Sequence, residues 1–492
     1  MAKTLFNVPT GDHLLLGDLH KRVVEEASNC NINIFVVGGY LRDLVLNRFR
    51  PEYRLFSKDL DYVILGDSAF EFARLIARLV KGHFVGLDKN NDIGRVVMPD
   101  GYILDFAGCL GETIESDVLR RDFSINALYL DPRQPENIID LLGGIDDIKN
   151  GVIRASVSSA FTSDPLRLLR AFRFAANLKF NIENETLNWI KNNADKIQSV
   201  AGERISSELF LTFKSYPTGS LLKKLGETGL LEAIFPELIA TRSVTNNAYH
   251  HLNLFDHSIE AVVQAEQDYL AKSDIWFKTN LPSSLNSASD ISHFAVCKVA
   301  ALLHDIGKPA TWAITEEGKH TFVGHERIGA QMVPIIAKRL RWSNTMEHLV
   351  SMLIELHLRP GQLFHTTEAT AKGINRLYRR AGENFPALIL LALGDLGATK
   401  GPQMTDEKSS NLREKFYGLL SGFEEYCLTT QSMKKILDGH DIMQLLNLPP
   451  GKELGEILSA LKEAQELKQV LTRSAAEDYV RSIYQSKKLS DG

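Results

Sequence analysis

The sequence predicts an α+β protein: a mixed sheet with helices over residues 1–150, then packed units built from helices alone. Three observations carry this. Short β-branched runs alternate with helical patterns up to Asn150. Beyond Asn150 the apolar period turns helical and stays so. At 492 residues the chain is also too long for one ordinary core, while its hydrophobic (44%) and charged (24%) fractions are those of a globular protein.

In order along the chain, IFVVGG (34–39) reads as a strand ending in glycines, and YLRDLVLN as the helix that follows. DLDYVIL (59–65) is a second strand, DSAFEFARLIARLV a helix, and HFVGL, GRVVMP and YILDFAG are further strands. SDPLRLLRAFRFAANL, ETLNWIKNNADKI and GERISSELFLTFKSY carry apolar residues at helical spacing. KTNLPSSLNSASDIS (278–292) reads as a solvated insertion and GPQMTDEKSSN (401–411) as a linker. The expected division is a head (1–150), a helical neck (151–235), a helical domain (236–400) and a helical tail (401–492).

The net charge of −5 excludes a uniformly basic nucleic-acid binder but leaves room for a local basic strip. Residues 149–229 hold 12 Lys/Arg against 7 Asp/Glu, a surplus of five, and Arg167, Arg170 and Arg173 recur at spacing three. Such a strip suits a phosphate backbone, although a solvated helix face has the same composition. Cys30, Cys109, Cys297 and Cys427 form no CxxC pair, which points to a reducing compartment. The N-terminus lacks a secretory h-region, and the most apolar stretch, FPALILLALGDLGA, is short and carries an aspartate. The expectation is a cytoplasmic protein without a membrane partner; no oligomeric state follows from the sequence.

Asp59 and Asp61 sit at i and i+2 of a strand and so share a face. Taken alone, DLD fits a solvated edge strand. It also fits a divalent cation bridging two carboxylates, and Mg²⁺ prefers such ligands together with phosphate oxygens. Asp105 in YILDFAG is a third strand carboxylate, and GGYLRD (38–43) is a strand–Gly-Gly–helix turn whose amides can approach a phosphate.

GGYLRD followed by DLD resembles the signature of the polymerase-β-like nucleotidyltransferases, specifically the class II tRNA nucleotidyltransferase and bacterial poly(A) polymerase family. RRDFSINAL (120–128), DLLGGIDDIKNGVIR (140–154), SDPLRLLRAFRFAANL (163–178) and ERISSEL (203–209) match later motifs of that family in order. The resemblance implies a nucleotidyltransferase head that transfers nucleotides from CTP and ATP to the 3′ end of tRNA. It makes Asp59 and Asp61 the Mg²⁺ ligands and catalytic residues, with Asp105 beside them. It places Gly38, Gly39, Arg42 and Asp43 at the phosphate turn, and Arg121, Asp122 and Asn126 at the sugar and triphosphate. Asp164 and Arg167, three apart on a helix, would present hydrogen-bonding edges to the base, with Arg170 on the same helix. Ser163 departs from the glutamate common at that place, and Asp164-Pro165 is also a good helix-capping pair.

Further on, His304 and Asp305 in ALLHDIGKP (301–309) can grip one metal. With His257 upstream and Asp395 downstream they resemble the HD phosphohydrolase superfamily; His325 and His357 stand where some HD proteins add ligands. Imidazole with carboxylate suits Mn, Ni, Co or Fe better than Mg²⁺, and a metal-bound water there can hydrolyse phosphate esters. Such modules also persist as RNA-binding scaffolds. His250 and His251 read as packing or surface.

Full CCA-adding members of the family carry a flexible loop before the RRD motif. Here only CLGETIESDVL (109–119) stands there, which implies the CC-adding branch. The alternatives are a complete CCA-adding or A-adding enzyme, a poly(A) polymerase, or a metal-dependent phosphohydrolase with an RNA-binding head.

Overall fold

The computed structural model describes residues 4–7, 17–53, 58–109, 111, 113–244, 252–272, 292–364, 369–400 and 404–490. His250, His251, residues 278–291 of the expected insertion and 401–403 of the expected linker lie outside the described residues. The chain divides into two compact units, Met1–Pro236 and Glu237–Gly492.

The first unit is organised by an eight-stranded sheet: β1 (Thr4–Asn7), β2 (Asn33–Val37), β3 (Asp59–Leu65), β4 (His83–Asp88), β5 (Ile93–Val97), β6 (Ile103–Gly108), β7 (Leu128–Leu130) and β8 (Asn137–Asp140). Their spatial order is β1-β8-β7-β2-β3-β6-β5-β4. The β3–β6 pair is parallel and every other pair antiparallel. The period of two separates the acids of β3 from its main apolar face, although Val63, on the acids' side, is buried in a second cluster. Leu60, Tyr62 and Ile64 are buried on one face, while Asp59 and Asp61 fall on the other.

The apolar face is locked by aromatic stacking. Tyr62 lies 5.0 Å from Phe106 of β6, and Phe106 meets Phe72 of the Ala69–Val80 helix edge-on. That helix is tied down at its start. Ser68 caps it, and the Asp92 carboxylate accepts the Ser68 hydroxyl and the Ala69 and Phe70 amides. Gly94 of β5 lets the helix sit close, since a Cβ there would fall 2.8 Å from the Ala73 Cβ.

Beyond the sheet the first unit is helical, apart from a short parallel pair, Val152–Ile153 with Asn181–Ile182. The helices Arg167–Leu178 and Gly202–Lys214 pack on each other, and Leu168, Phe172, Leu209 and Phe213 on them are buried.

The second unit is built around Phe385–Ala398, the FPALILLALGDLGA segment, whose residues are buried except Asp395. It packs on the helices Leu254–Ala271 and His293–Leu303. Gly394 and Gly397 make the approach possible, because Cβ atoms there would meet the Ala261 carbonyl at 2.5 Å and Gln264 at 2.7 Å. Asp395 is thereby carried toward its neighbour helix. The expected linker is partly helical: Thr405 caps Asp406–Ser432, with Asp406 and Glu407 favouring its positive end. Small strands Ala313–Ile314 and His320–Thr321 also interrupt the expected all-helical run. A further core, including Ile442, Ile457, Leu461 and Val480, holds the last helices together. No helix among the described residues is long and apolar enough to cross a membrane.

In the first unit His20 is buried against Tyr62, hydrogen-bonded through Nδ1 to its hydroxyl at 2.9 Å. Burial lowers its pKa to about 4. Below the ordinary histidine pKa of about 6.5 the unfolded chain takes up a proton that the folded chain refuses until about 4. Stability is therefore lost as pH falls through that window, by about 3 kcal/mol for this group. Thermal melts of wild type and His20→Gln between pH 7 and 4 should diverge accordingly, wild type falling more steeply; parallel curves would refute the assignment.

Candidate active site and metal centre

The polar face of the sheet opens into a cleft of about 610 Å³, large enough for a nucleotide. Its floor is set by register: Asp61 of β3 stands directly beside Asp105 of β6. Burial first, then the charges of Asp105 and Asp59, push the Asp61 carboxyl up to about 6, against the opposing pull of Arg121 and the Gly39 amide. Such a cluster is short of positive charge, and a divalent cation held by Asp59 and Asp61 fits it.

Gly38 is the other half of this geometry. It turns β2 into the Gly39–Phe49 helix at φ +80°, and a Cβ there would sit 2.6 Å from Asp61 Oδ2. Glycine is required both for the backbone and for the carboxylate that lies on it. The Gly39 amide donates to Asp61, so this helix N-terminus faces the carboxylate.

The opposite wall is a series of arginines, each held by an acid. Arg42 is paired with the buried Asp43 at 2.7 Å and donates to Asn126 Oδ1 at 3.0 Å. Asn126 in turn donates to Asp122, which receives a two-nitrogen fork from Arg170 at 2.6 and 3.0 Å. Burial pushes the Asp122 carboxyl up, but Arg170, Asn126 and the Phe123 amide hold it below its ordinary value. Arg173 reaches Glu208 at 2.6 Å and lies 4.3 Å over the Phe174 ring, which Arg42 and Arg170 also flank.

Arg121 lines the cleft and is anchored behind it. Its guanidinium binds Asp117 at 2.9 Å and the Tyr129 hydroxyl at 3.2 Å. Asp117 is fully buried and also takes Arg120 at 2.7 Å, while Arg120 reaches back to the Gly108 carbonyl at 2.7 Å.

Asp164 and Arg167 line the same cleft. Asp164 accepts the Leu166 amide and lies 3.5 Å from Arg204. Arg167 donates to the Ala160 carbonyl and to Ser163 Oγ, so the serine that departs from the family pattern supports the arginine beside it. The structure thus brings Gly38, Gly39, Arg42, Asp59, Asp61, Asp105, Arg121, Asp122, Asn126, Asp164, Arg167 and Arg170 to one cleft, with Asp43 behind Arg42. Sequence reasoning missed Arg95, Asp117, Tyr129 and Glu208. Arg95 forks both oxygens of Asp105 at 2.7 and 2.8 Å.

In the second unit the helix ends at Leu303, so His304 and Asp305 lie in the turn after it. His257 Nε2 binds Asp395 at 3.0 Å; His304 Nε2 stands 3.2 Å from Asp305 and 3.5 Å from Asp395. His325 and His357 Nε2 approach Asp305 Oδ1 at 3.2 and 3.8 Å, and Lys308 reaches Oδ2 at 2.6 Å.

The Nδ1 atoms of His304, His325 and His357 donate N–H to the carbonyls of Ala301, Phe322 and Ile354 at 2.7–2.8 Å, so each Nε2 faces inward. Those Nε2 atoms and both Asp305 oxygens are buried without an aligned hydrogen bond. Two overlapping ligand groups result, His257–His304–Asp395 and His304–Asp305–His357. Orphaned imidazole and carboxylate atoms converging in this way fit a metal ion.

Burial would lower the His304 pKa, but Asp305 and Asp395 raise it to about 10; burial and His304 hold His357 at about 3. Metal must displace the His304 proton, so affinity should rise with pH across the neutral range. If these groups hold a metal, His304→Ala with Asp305→Ala should strip it from the purified protein. Unchanged metal content by elemental analysis would show that this centre is wrongly placed.

Three family descriptions match the chain: the poly(A) polymerase head domain at residues 105–154, the probable RNA- and SrmB-binding site of polymerase A at 179–241, and the HD domain at 291–392. The A-adding tRNA nucleotidyltransferase of Deinococcus radiodurans is 30% identical over 91% of this chain and 94% of its own. The CC-adding tRNA nucleotidyltransferase of Thermus thermophilus is 28% identical over 91% and 92%. In fold, the chain is similar to the Thermotoga maritima CCA-adding enzyme solved with tRNA, at a TM-score of 0.62 and 18% identity, covering 97% of each. With a relative 30% identical across nearly all of both chains, this chain belongs to the tRNA nucleotidyltransferase and poly(A) polymerase family.

Proposed function

We propose that this protein adds CMP to the 3′ end of tRNA in the cytoplasm without a nucleic-acid template and stops at CC. Asp59 and Asp61 hold Mg²⁺, with Asp105 beside them. When bound, the ions lower the pKa of the attacking 3′-hydroxyl and stabilise the pyrophosphate that leaves. Gly38 and Gly39 offer backbone amides to the triphosphate, while Arg42, Arg121 and Asn126 hold its phosphates and sugar. Asp164 and Arg167 present an acceptor and a donor to the base edge, with Arg170 fixed behind them by Asp122.

The observation that carries the CC product is the connection from β6 to the RRD motif. Between Gly108 and Arg120 it is short, contains the Ile114–Val118 helix, and is tied by Arg120 to the Gly108 carbonyl and by Asp117 to Arg120, Arg121 and Tyr129. Leu110 and Glu112 lie outside the described residues; the shortness of the connection and the ties at Gly108 and at Asp117–Arg121 support the reading that it does not help the base-reading helix change from C to A. The 30% identity to an A-adding enzyme favours a second reading, addition of the terminal A alone. The HD centre would hold Mn, Ni, Co or Fe, since its donors are imidazole and carboxylate, and support phosphoester hydrolysis. Four cysteines without a disulfide suit a reducing cytoplasm.

Asp61→Ala should abolish nucleotide addition with tRNA binding retained; turnover above a tenth of wild type would refute the metal-ligand role. Sequencing the 3′ ends made from tRNA lacking its terminus, with CTP and ATP both present, should give CC. Termini ending in CCA would overturn the pinned-connection argument, and addition of A only to tRNA already ending in CC would establish the second reading.

A further inference from the structure

The cleft face of three adjacent strands carries a row of charges. Asp59 and Asp61 lie on β3, Asp105 stands beside Asp61 on β6, and Arg95 stands directly opposite Asp105 on β5. The Arg95 fork takes both Asp105 oxygens, Nε on Oδ1 at 2.7 Å and Nη2 on Oδ2 at 2.8 Å. Its charge is favoured by Asp105 first, and also by Asp59 and Asp61, so it serves the whole cluster.

A cross-strand ion pair can exist simply to support strand pairing. Here that role is already filled: Ile93–Val97 pairs with Ile103–Ala107 along its full length. The pair is also partly exposed, 36% and 25% at the side chains, where an ion pair contributes little to stability. Its consequence is electrostatic. Taken alone, the three carboxylates and this guanidinium sum to −2, which one divalent cation neutralises, and Arg121 further opposes added positive charge at Asp61. A second would leave the cluster at +2 with a guanidinium against it, until substrate phosphates restore negative charge.

We propose that Arg95 is a positioning residue that keeps Asp105 out of metal ligation in the free enzyme, so the head takes one divalent cation at Asp59 and Asp61 and a second only when the substrates bring their phosphates. The proposal rests on the metal-dependent transfer reading above. Arg95 thereby couples metal loading to RNA binding, and each must strengthen the other.

The test is a Mn²⁺ titration of the full chain, following the free-ion EPR signal, without nucleotide or RNA. Arg95→Met should bind one more Mn²⁺ per chain than wild type, about tenfold or more tightly than wild type takes that ion. Arg95→Lys, which keeps the charge, should stay at the wild-type count. Adding Asp61→Asn to Arg95→Met should abolish the gain, assigning it to the head rather than to the HD centre. Melting curves followed by circular dichroism verify that each variant is folded.

In turnover, raising tRNA from below to above its KM should lower the Mg²⁺ midpoint of wild type and leave that of Arg95→Met unmoved. Equal Mn²⁺ counts and affinities in wild type and Arg95→Met, or equal responses of the Mg²⁺ midpoint to tRNA, would overturn the gate. Loss of no Mn²⁺ in Asp61→Asn would instead sink the metal reading of Asp59 and Asp61 itself.

Discussion

The register that sets Asp61 of β3 beside Asp105 of β6 is the constraint around which the head is arranged. Two carboxylates side by side on a largely buried strand face oppose folding, because burial and mutual repulsion both favour protonation. The register is held from the other side. Tyr62 and Phe106, the next residues on the same two strands, stack on each other and are braced by His20 and Phe72. Gly38 then lets the preceding strand turn onto the Asp61 carboxylate without a side chain in the way. Apolar packing on one face thus maintains a charge density that the other face uses for chemistry.

The arginine wall obeys a complementary rule. Arg42, Arg121, Arg170 and Arg173 lie on Asp43, Asp117, Asp122 and Glu208. Burying such pairs yields little net stability. What it secures is orientation: a guanidinium held by a carboxylate loses less freedom when a phosphate or base arrives, and need not reorganise during the reaction. The pairing also reconciles an acidic chain with a phosphate-binding cleft, since the cations are concentrated where their partners fix them.

Part of this was legible from residues alone and part was not. The DLD strand could be placed because a period of two leaves its acids on one face, and its bounds fall at Asp59–Leu65 as read. The Arg167–Leu178 helix was legible from its apolar period, although it starts at Arg167, with Asp164 in the turn before it. Arg95 was not legible, because its partner is fixed by β5–β6 register rather than by spacing. Glu208 read only as part of a supporting helix, since its contact with Arg173 depends on how two helices cross. Asp117 lay in a stretch read only for its shortness; its burial depends on Arg120, Arg121 and Tyr129 folding over it. Thr405 and the acids after it are a helix start that a polar composition made look like a linker.

The HD centre solves its charge problem differently from the head. There the carboxylates are neighbours of imidazoles, and His304 stands between Asp305 and Asp395 as an imidazolium. That proton and the Lys308 ammonium balance two carboxylates which, against the upward push of burial, are held well below their ordinary range by His304 and Lys308 at Asp305 and by His257 and His304 at Asp395. His357 is kept neutral by burial and by the His304 charge. A cation taking the place of that proton would meet ligands already oriented by carbonyls behind them. The head, by contrast, balances its acids with a guanidinium, which cannot be deprotonated and must be moved or out-competed. The same shortage of positive charge is thus met by a titratable group in one unit and a permanent one in the other.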